Sequence, residues 1–326
     1  MAESVTPSGC SPSESRALPS SSGLQGTYSL SRRVTTMALA MAAGLLVAGF
    51  WNARLADGFG RNVVAGYTIG DSGVLSGTFA QNGLGFGFLF AAVAGLAATF
   101  TACNCVVFAM LPGIAAPGAT RSRPPALASL GAFTAAVMLV GALYGIFIGL
   151  LGPDGIQVFN SRAVRSAQAR TIFSAIGLLM VLWGALELGL IDPLRRRVSP
   201  ETRAFFTQPT TKAGLLGLLV GAFAIGRPFP VMRDFLVYAA TSNSPLYGAA
   251  VMMVQGLGQI AVMVVLALVL VYGFGEWLTR WVTTRPHQVA LITAVALVAG
   301  GTFFIYYWGL ASAFNIGRWG FRLGWY

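Results

Sequence analysis

The sequence predicts an all-α membrane protein that crosses the bilayer seven times. Three observations lead there. The 326 residues are 56% hydrophobic and only 10% charged, whereas soluble domains are about a quarter charged. The mean hydropathy is +0.71, so too little polar surface is available to cover a water-soluble globule. The apolar residues run continuously and do not alternate with period two, which argues for helices and against a membrane β-barrel. A soluble enzyme, a disordered chain and a nucleic-acid-binding module are all disfavoured. The net charge of +11 does not change this, because the basic residues are scattered between apolar runs and form no patch with interleaved aromatics.

The elements follow in order. Residues 1–35 hold ten Ser, three Pro and three Gly and read as a disordered cytoplasmic tail that cannot bury enough apolar surface to offset its ordering entropy. Arg32 and Arg33 precede the apolar run 36–51. A signal peptide would look similar, but the long preceding region and Arg54 favour an uncleaved anchor, taken as 36–53. Residues 54–83 are mixed and Gly-rich and read as an extracytoplasmic loop. Six further stretches are long enough for about 30 Å of hydrocarbon, at roughly 84–112, 126–151, 170–191, 213–239, 246–274 and 287–312. They form a membrane core over 84–312, followed by a short extracytoplasmic tail at 313–326. With the N-terminus inside, twelve Arg and Lys fall in cytoplasmic segments and seven in external ones, so charge bias predicts N-in and C-out. The Arg195–Arg197 run is explained by this topogenic role.

Two spans are interrupted. One contains Ala98-Thr-Phe-Thr-Ala-Cys103-Asn104-Cys105 and reaches Pro112. The other contains Gly226-Arg227-Pro228-Phe229-Pro230 and then Arg233-Asp234. They hold matching places in two groups of three helices, which predicts an inverted 3+3 repeat with a central site.

On these motifs the 84–312 core resembles the CcdA/DsbD transmembrane family, which carries reducing equivalents across bacterial membranes. The family's first helix carries a Pro-Cys-x-x-Pro-x-x-Pro motif, and Asn104-Cys105 running to Pro112 stands in the like position. Its fourth helix carries a second Pro-Cys, where this chain has Arg227-Pro228-Phe229-Pro230. Ser174–Gly184 resembles the Gly/Leu-rich third helix, and the turn Thr241–Gly248 resembles the one before the fifth. The resemblance implies a bacterial inner-membrane protein working by thiol–disulfide exchange. Its partners would be a cytoplasmic thioredoxin and an extracytoplasmic thioredoxin-like protein, in support of cytochrome c maturation or another periplasmic enzyme's biogenesis. Specialised members of this neighbourhood include the MauF-type proteins. Phe229 stands where the family's second cysteine would be, so Cys103 with Cys105 becomes the candidate redox pair.

Each candidate carries its own chemistry. In a regular helix, residues two apart point to different faces, so a Cys103–Cys105 bridge needs an unwound segment at Asn104; Pro112 is too far downstream to ensure it. A thiol deep in lipid is inert unless water or a cation reaches it. Arg227 and Arg233 would supply the cation if the two interrupted helices face each other. The plainer reading pairs Arg233 with Asp234 or lets it snorkel. Pro112, Pro228 and Pro230 shape the breaks. Glu187 reads as a pairing or interfacial residue, His287 as interfacial, and Met252 with the Tyr306–Trp308 group as core and interface filler. No cofactor motif is present. A Cys-x-Cys pair also suits a soft metal, so a soft-metal or small-solute transporter and a non-catalytic biogenesis scaffold remain as alternatives.

Overall fold

The computed structural model describes residues 29–101, 104, 124–191, 208–273, 280, 284–314, 316 and 319–324. Cys103, Cys105 and Pro112 lie outside the described residues, as does the Arg195–Arg197 run. Among the described residues there is no strand, and seven helices are long and apolar enough to cross a membrane. The protein is an all-α, polytopic membrane protein.

The first span, α1, runs Leu30–Phe50, earlier than the apolar run suggests. Ser29 caps it, its hydroxyl accepting from the Arg32 N–H at 3.5 Å. Short helices follow: α2 at Ala53–Gly58, a π-helical continuation at Phe59–Ala65, and single turns at Gly66–Thr68 and Ser72–Leu75. This part of the 54–83 segment folds back onto the bundle. Gly60 lies against the Ala97 carbonyl with no room for a Cβ.

The core comprises α3 (Phe79–Ala98), α4 (Pro124–Phe159), α5 (Arg162–Glu187), α6 (Pro209–Gly226), α7 (Pro230–Thr241), α8 (Pro245–Gly273) and α9 (Pro286–Phe304). Proline stands at the first turn of α6, α7 and α9, where its missing N–H costs nothing. In α4, Gly152 adopts φ 64° directly before Pro153. That left-handed step kinks the helix and turns its last residues toward α5. The span built on α9 continues as a π-helix over Ile305–Ala311, stacking Trp308 on Phe173 and Tyr307 on Phe303, each with ring centroids 5.3 Å apart.

The packing shows how the halves relate. The first half is α3, α4 and α5; the second is α6–α7, α8 and α9. Helix α4 packs along α8, and α5 along α9. A Cβ on Gly145 of α4 would strike the Gly248 carbonyl of α8, and one on Gly248 would strike Gly145. Gly177 of α5 and Gly301 of α9 exclude each other's Cβ in the same reciprocal way. The remaining pairing is exchanged: α3 packs on α8, and α6 on α4. These are the contacts expected of two repeats related by a pseudo-two-fold axis. In lipid there is little hydrophobic drive between helices, so such close backbone approach supplies the packing energy. Leu139, Leu143, Phe147 and Leu150 of α4 are exposed and form the apolar outside expected against acyl chains.

At the end where α1 begins, the Arg33 guanidinium donates to the Gly189 carbonyl at 3.4 Å. Lys212 pairs with Glu187 there at 2.8 Å, the pairing role the sequence suggested. His287 is exposed and Met252 is fully buried.

Candidate functional site

The site grows from two breaks in the helices. The second is written into the covalent chain. Pro228 and Pro230 have no N–H, so the Ala224 and Gly226 carbonyls cannot receive the usual i+4 donor. Proline also pushes the residue before it into extended backbone. Arg227 (ψ 119°) and Phe229 (ψ 127°) are both extended, and three residues separate α6 from α7. The Ile225 carbonyl is capped from another helix by Gln168 Nε2 at 2.7 Å.

The first break has no proline beside it. Helix α3 ends at Ala98, and Thr99–Thr101 form a turn and a bend. Side chains close this break. Thr101 Oγ1 donates to the Ala98 carbonyl at 2.8 Å. Asn104 Nδ2 donates to the same carbonyl at 3.1 Å and to the Gln259 carbonyl at 3.5 Å. Thr99 Oγ1 donates to the Gln259 carbonyl at 2.9 Å. Among the described residues the chain is therefore unwound over Thr99–Thr101, while Asn104 itself, where a Cys-Asn-Cys bridge would need the unwinding, is helical.

The two breaks meet. Arg227, on the second, sends Nη1 to the Ala98 carbonyl at 3.3 Å. Arg227, Asn104, Thr99, Thr101, Gln255 and Gln259 are all buried. Gln255 Nε2 reaches Gln259 Oε1, and Gln259 Nε2 reaches the Val220 carbonyl, both at 3.4 Å. A polar seam thus crosses the apolar interior from α3 through α8 to α6. It is incompletely satisfied: among the described residues, Asn104 Oδ1, Gln255 Oε1 and Arg227 Nε and Nη2 have no hydrogen-bond partner. Buried polar groups are rarely left in this state, and an ionisable side chain inside a membrane bundle is by default a candidate functional residue.

Asp57 of α2 completes the electrostatics. Burial pushes its carboxyl above the ordinary 3.8, and the Arg227 charge pulls it partly back. Lys212–Glu187 is the ion pair at 4.0 Å or less among the described residues, so Asp57 sits within the field of Arg227 without closing on it.

Arg233 lies apart from this seam. Its Nη1 donates to Asn160 Oδ1 at 2.9 Å, while Asp234 accepts from the Ser72 hydroxyl at 2.6 Å. Arg233 and Asp234 thus have separate partners, and Arg233 is only 2% exposed, so it does not snorkel. Phe229, also 2% exposed, packs in the core cluster with Phe235, Ala97 and Met232.

Of the residues the sequence singled out, the structure brings Asn104 and Arg227 together, with Pro228 and Pro230 shaping the approach. Arg233 and Asp234 stand one to two turns further along α7. Sequence reasoning missed Thr99, Gln168, Gln255, Gln259 and Asp57. The i,i+4 glutamines in an otherwise apolar span were the available signal. No protein-family model matches the chain, and comparisons with curated proteins and with solved structures return no match.

Proposed function

We propose that this integral membrane protein passes reducing equivalents across the bacterial inner membrane by thiol–disulfide exchange at Cys103 and Cys105, with its N-terminus inside. One observation carries the reading: Arg227 and Asn104 converge on the Ala98 carbonyl, so a buried guanidinium lies against the residue that both cysteines flank in sequence. Arg227 also keeps its Nε and Nη2 donors free. A cation with unused donors is what lowers a buried thiol into its reactive thiolate form. The exchange balances over two electrons. A thiolate of a reduced cytoplasmic thioredoxin attacks a Cys103–Cys105 disulfide, giving a mixed disulfide. The second thioredoxin thiolate resolves it, leaving thioredoxin oxidised and the pair reduced. The reduced pair then transfers both electrons to an external thioredoxin-like disulfide, serving cytochrome c maturation or the assembly of another periplasmic enzyme.

The test is thiol trapping in proteoliposomes. Reduced thioredoxin should convert both cysteines from alkylation-resistant to alkylation-sensitive, and Cys105→Ser should abolish the change. A redox state indifferent to thioredoxin would rule the reading out. A second reading, a soft-metal or small-solute carrier, draws on the paired breaks and the reciprocal Gly145–Gly248 and Gly177–Gly301 contacts, which suit alternating access. Metal-dependent protection of both thiols in the same assay would favour it. Unchanged activity of the double Cys→Ser variant would leave a scaffold role.

A further inference from the structure

Arg233 makes a second polar site, independent of the thiols. Its guanidinium is 2% exposed, and of its three nitrogens only Nη1 has a partner among the described residues, Asn160 Oδ1 at 2.9 Å. The free atoms are Nε and Nη2. They lie on one edge of the planar group, with their N–H bonds parallel and spaced to take two oxygens of a single carboxylate or phosphate.

The surroundings fit an anion. Tyr144 of α4 and Arg165 of α5 are titratable neighbours of Arg233, and of the two Arg165 is the one charged at neutral pH. Two guanidinium groups therefore share this corner, and the nearest carboxylate in sequence, Asp234, is engaged by Ser72 at 2.6 Å. Arg233 sits in the first turn of the 12-residue α7, where the helix dipole adds positive potential. Asn160, at the α4–α5 turn, is only half-buried, and Arg162 beside it is exposed. That turn is the route by which a small anion would reach the fork.

We propose that Arg233, with Tyr144 and Arg165 beside it, forms a binding site for a small oxyanion, a carboxylate or phosphate group held side-on by Nε and Nη2 and entering past Asn160. The group belongs either to a soluble solute or to an anionic lipid headgroup, and the test separates the two sources.

The full-length protein is placed in phosphatidylcholine nanodiscs, and its thermal midpoint is followed against sodium phosphate, sodium acetate and sodium chloride at equal ionic strength. Phosphate or acetate should raise the midpoint saturably while chloride does not. Arg233→Lys keeps the charge but loses the two-pronged edge, and should weaken the apparent affinity by about tenfold or more. Lys212→Gln, at the opposite end of α5, should leave it unchanged. Should Arg233→Lys fail to fold, Asn160→Ala in its place should alter the phosphate or acetate affinity while chloride remains without effect. A rise seen only when phosphatidylglycerol replaces phosphatidylcholine, and lost in Arg233→Lys, assigns the fork to a lipid phosphate. No rise with phosphate, acetate or phosphatidylglycerol overturns the site, as does a rise that Arg233→Lys fully retains.

Discussion

The two helix breaks reach the same place by different means. In the second, Pro228 and Pro230 make a continuous helix impossible, and Arg227 and Phe229 are extended because proline follows each. In the first, nothing in the covalent chain forbids a helix through Thr99–Thr101. That break persists through hydrogen bonds from Thr99, Thr101 and Asn104 to the Ala98 and Gln259 carbonyls. The difference assigns different duties. The proline break is a fixed post that holds Arg227 in position. The hydrogen-bonded break is conditional, and it carries the cysteine pair in sequence. Under the proposed thiol–disulfide function, a pair that opens and closes a bridge belongs on the side whose backbone can rearrange.

Repairing the fixed post should have the largest effect. Pro228→Ala with Pro230→Ala removes two residues that each cost about 3 kcal/mol in a helix interior. A continuous α6–α7 helix should form and carry Arg227 off the Ala98 carbonyl. Hydrogen exchange should show new protection at residues 227–231, and electron transfer should be lost.

The conditional break should respond more gently. Asn104→Leu removes the donors to Ala98 and Gln259, a loss of about 1–3 kcal/mol. The thermal midpoint should fall, and exchange should quicken around Thr99–Thr101 while the 227–230 segment is unchanged. Equal disturbance of both breaks would erase the distinction drawn here.

Asp57, beside the fixed break, should make stability depend on pH. Its carboxyl is raised above 3.8 by burial, with Arg227 opposing. An acid whose folded pKa is raised binds its proton more tightly in the native state, so stability is greatest below the unfolded value. It declines as pH climbs from 3.8 through the folded value, and is level above that. The midpoint of the detergent-solubilised protein should fall over this window, and Asp57→Asn should flatten this part of the profile. The smallest effect belongs to the Lys212–Glu187 pair, whose side chains are 38% and 20% exposed. Lys212→Gln should cost no more than about 1 kcal/mol and leave both breaks as they are.

The seven spans were legible because long apolar runs report directly on the bilayer. So was the second break, since Arg-Pro-Phe-Pro dictates backbone locally. The first break was only half legible. Its polar residues stood out, but a helix through 84–112 fitted the apolar run, and the turn at Thr99 depends on acceptors at Gln259, about 160 residues away. Asp57 was read as part of a solvated loop, because its charged, Gly-rich setting gives no hint that Gly60 docks on Ala97. The start of α1 was misplaced because hydropathy favours Thr36, while the Ser29 cap and the exposed arginine turn extend the helix outward. At Thr99 and at Asp57 a contact between distant parts of the chain overrode the local pattern, whereas at α1 a local cap did so.

The central claim is that the arginine fixed by one break activates the thiols on the other. The direct measurement is the rate of alkylation of Cys103 and Cys105 against pH, in the full-length protein carrying Cys10→Ser, compared with the same protein bearing Arg227→Gln or Arg227→Lys. The account predicts a half-maximal pH below that of a free thiol, raised by about one unit or more in Arg227→Gln and largely restored in Arg227→Lys. Superimposable profiles for the parent protein and Arg227→Gln would contradict it.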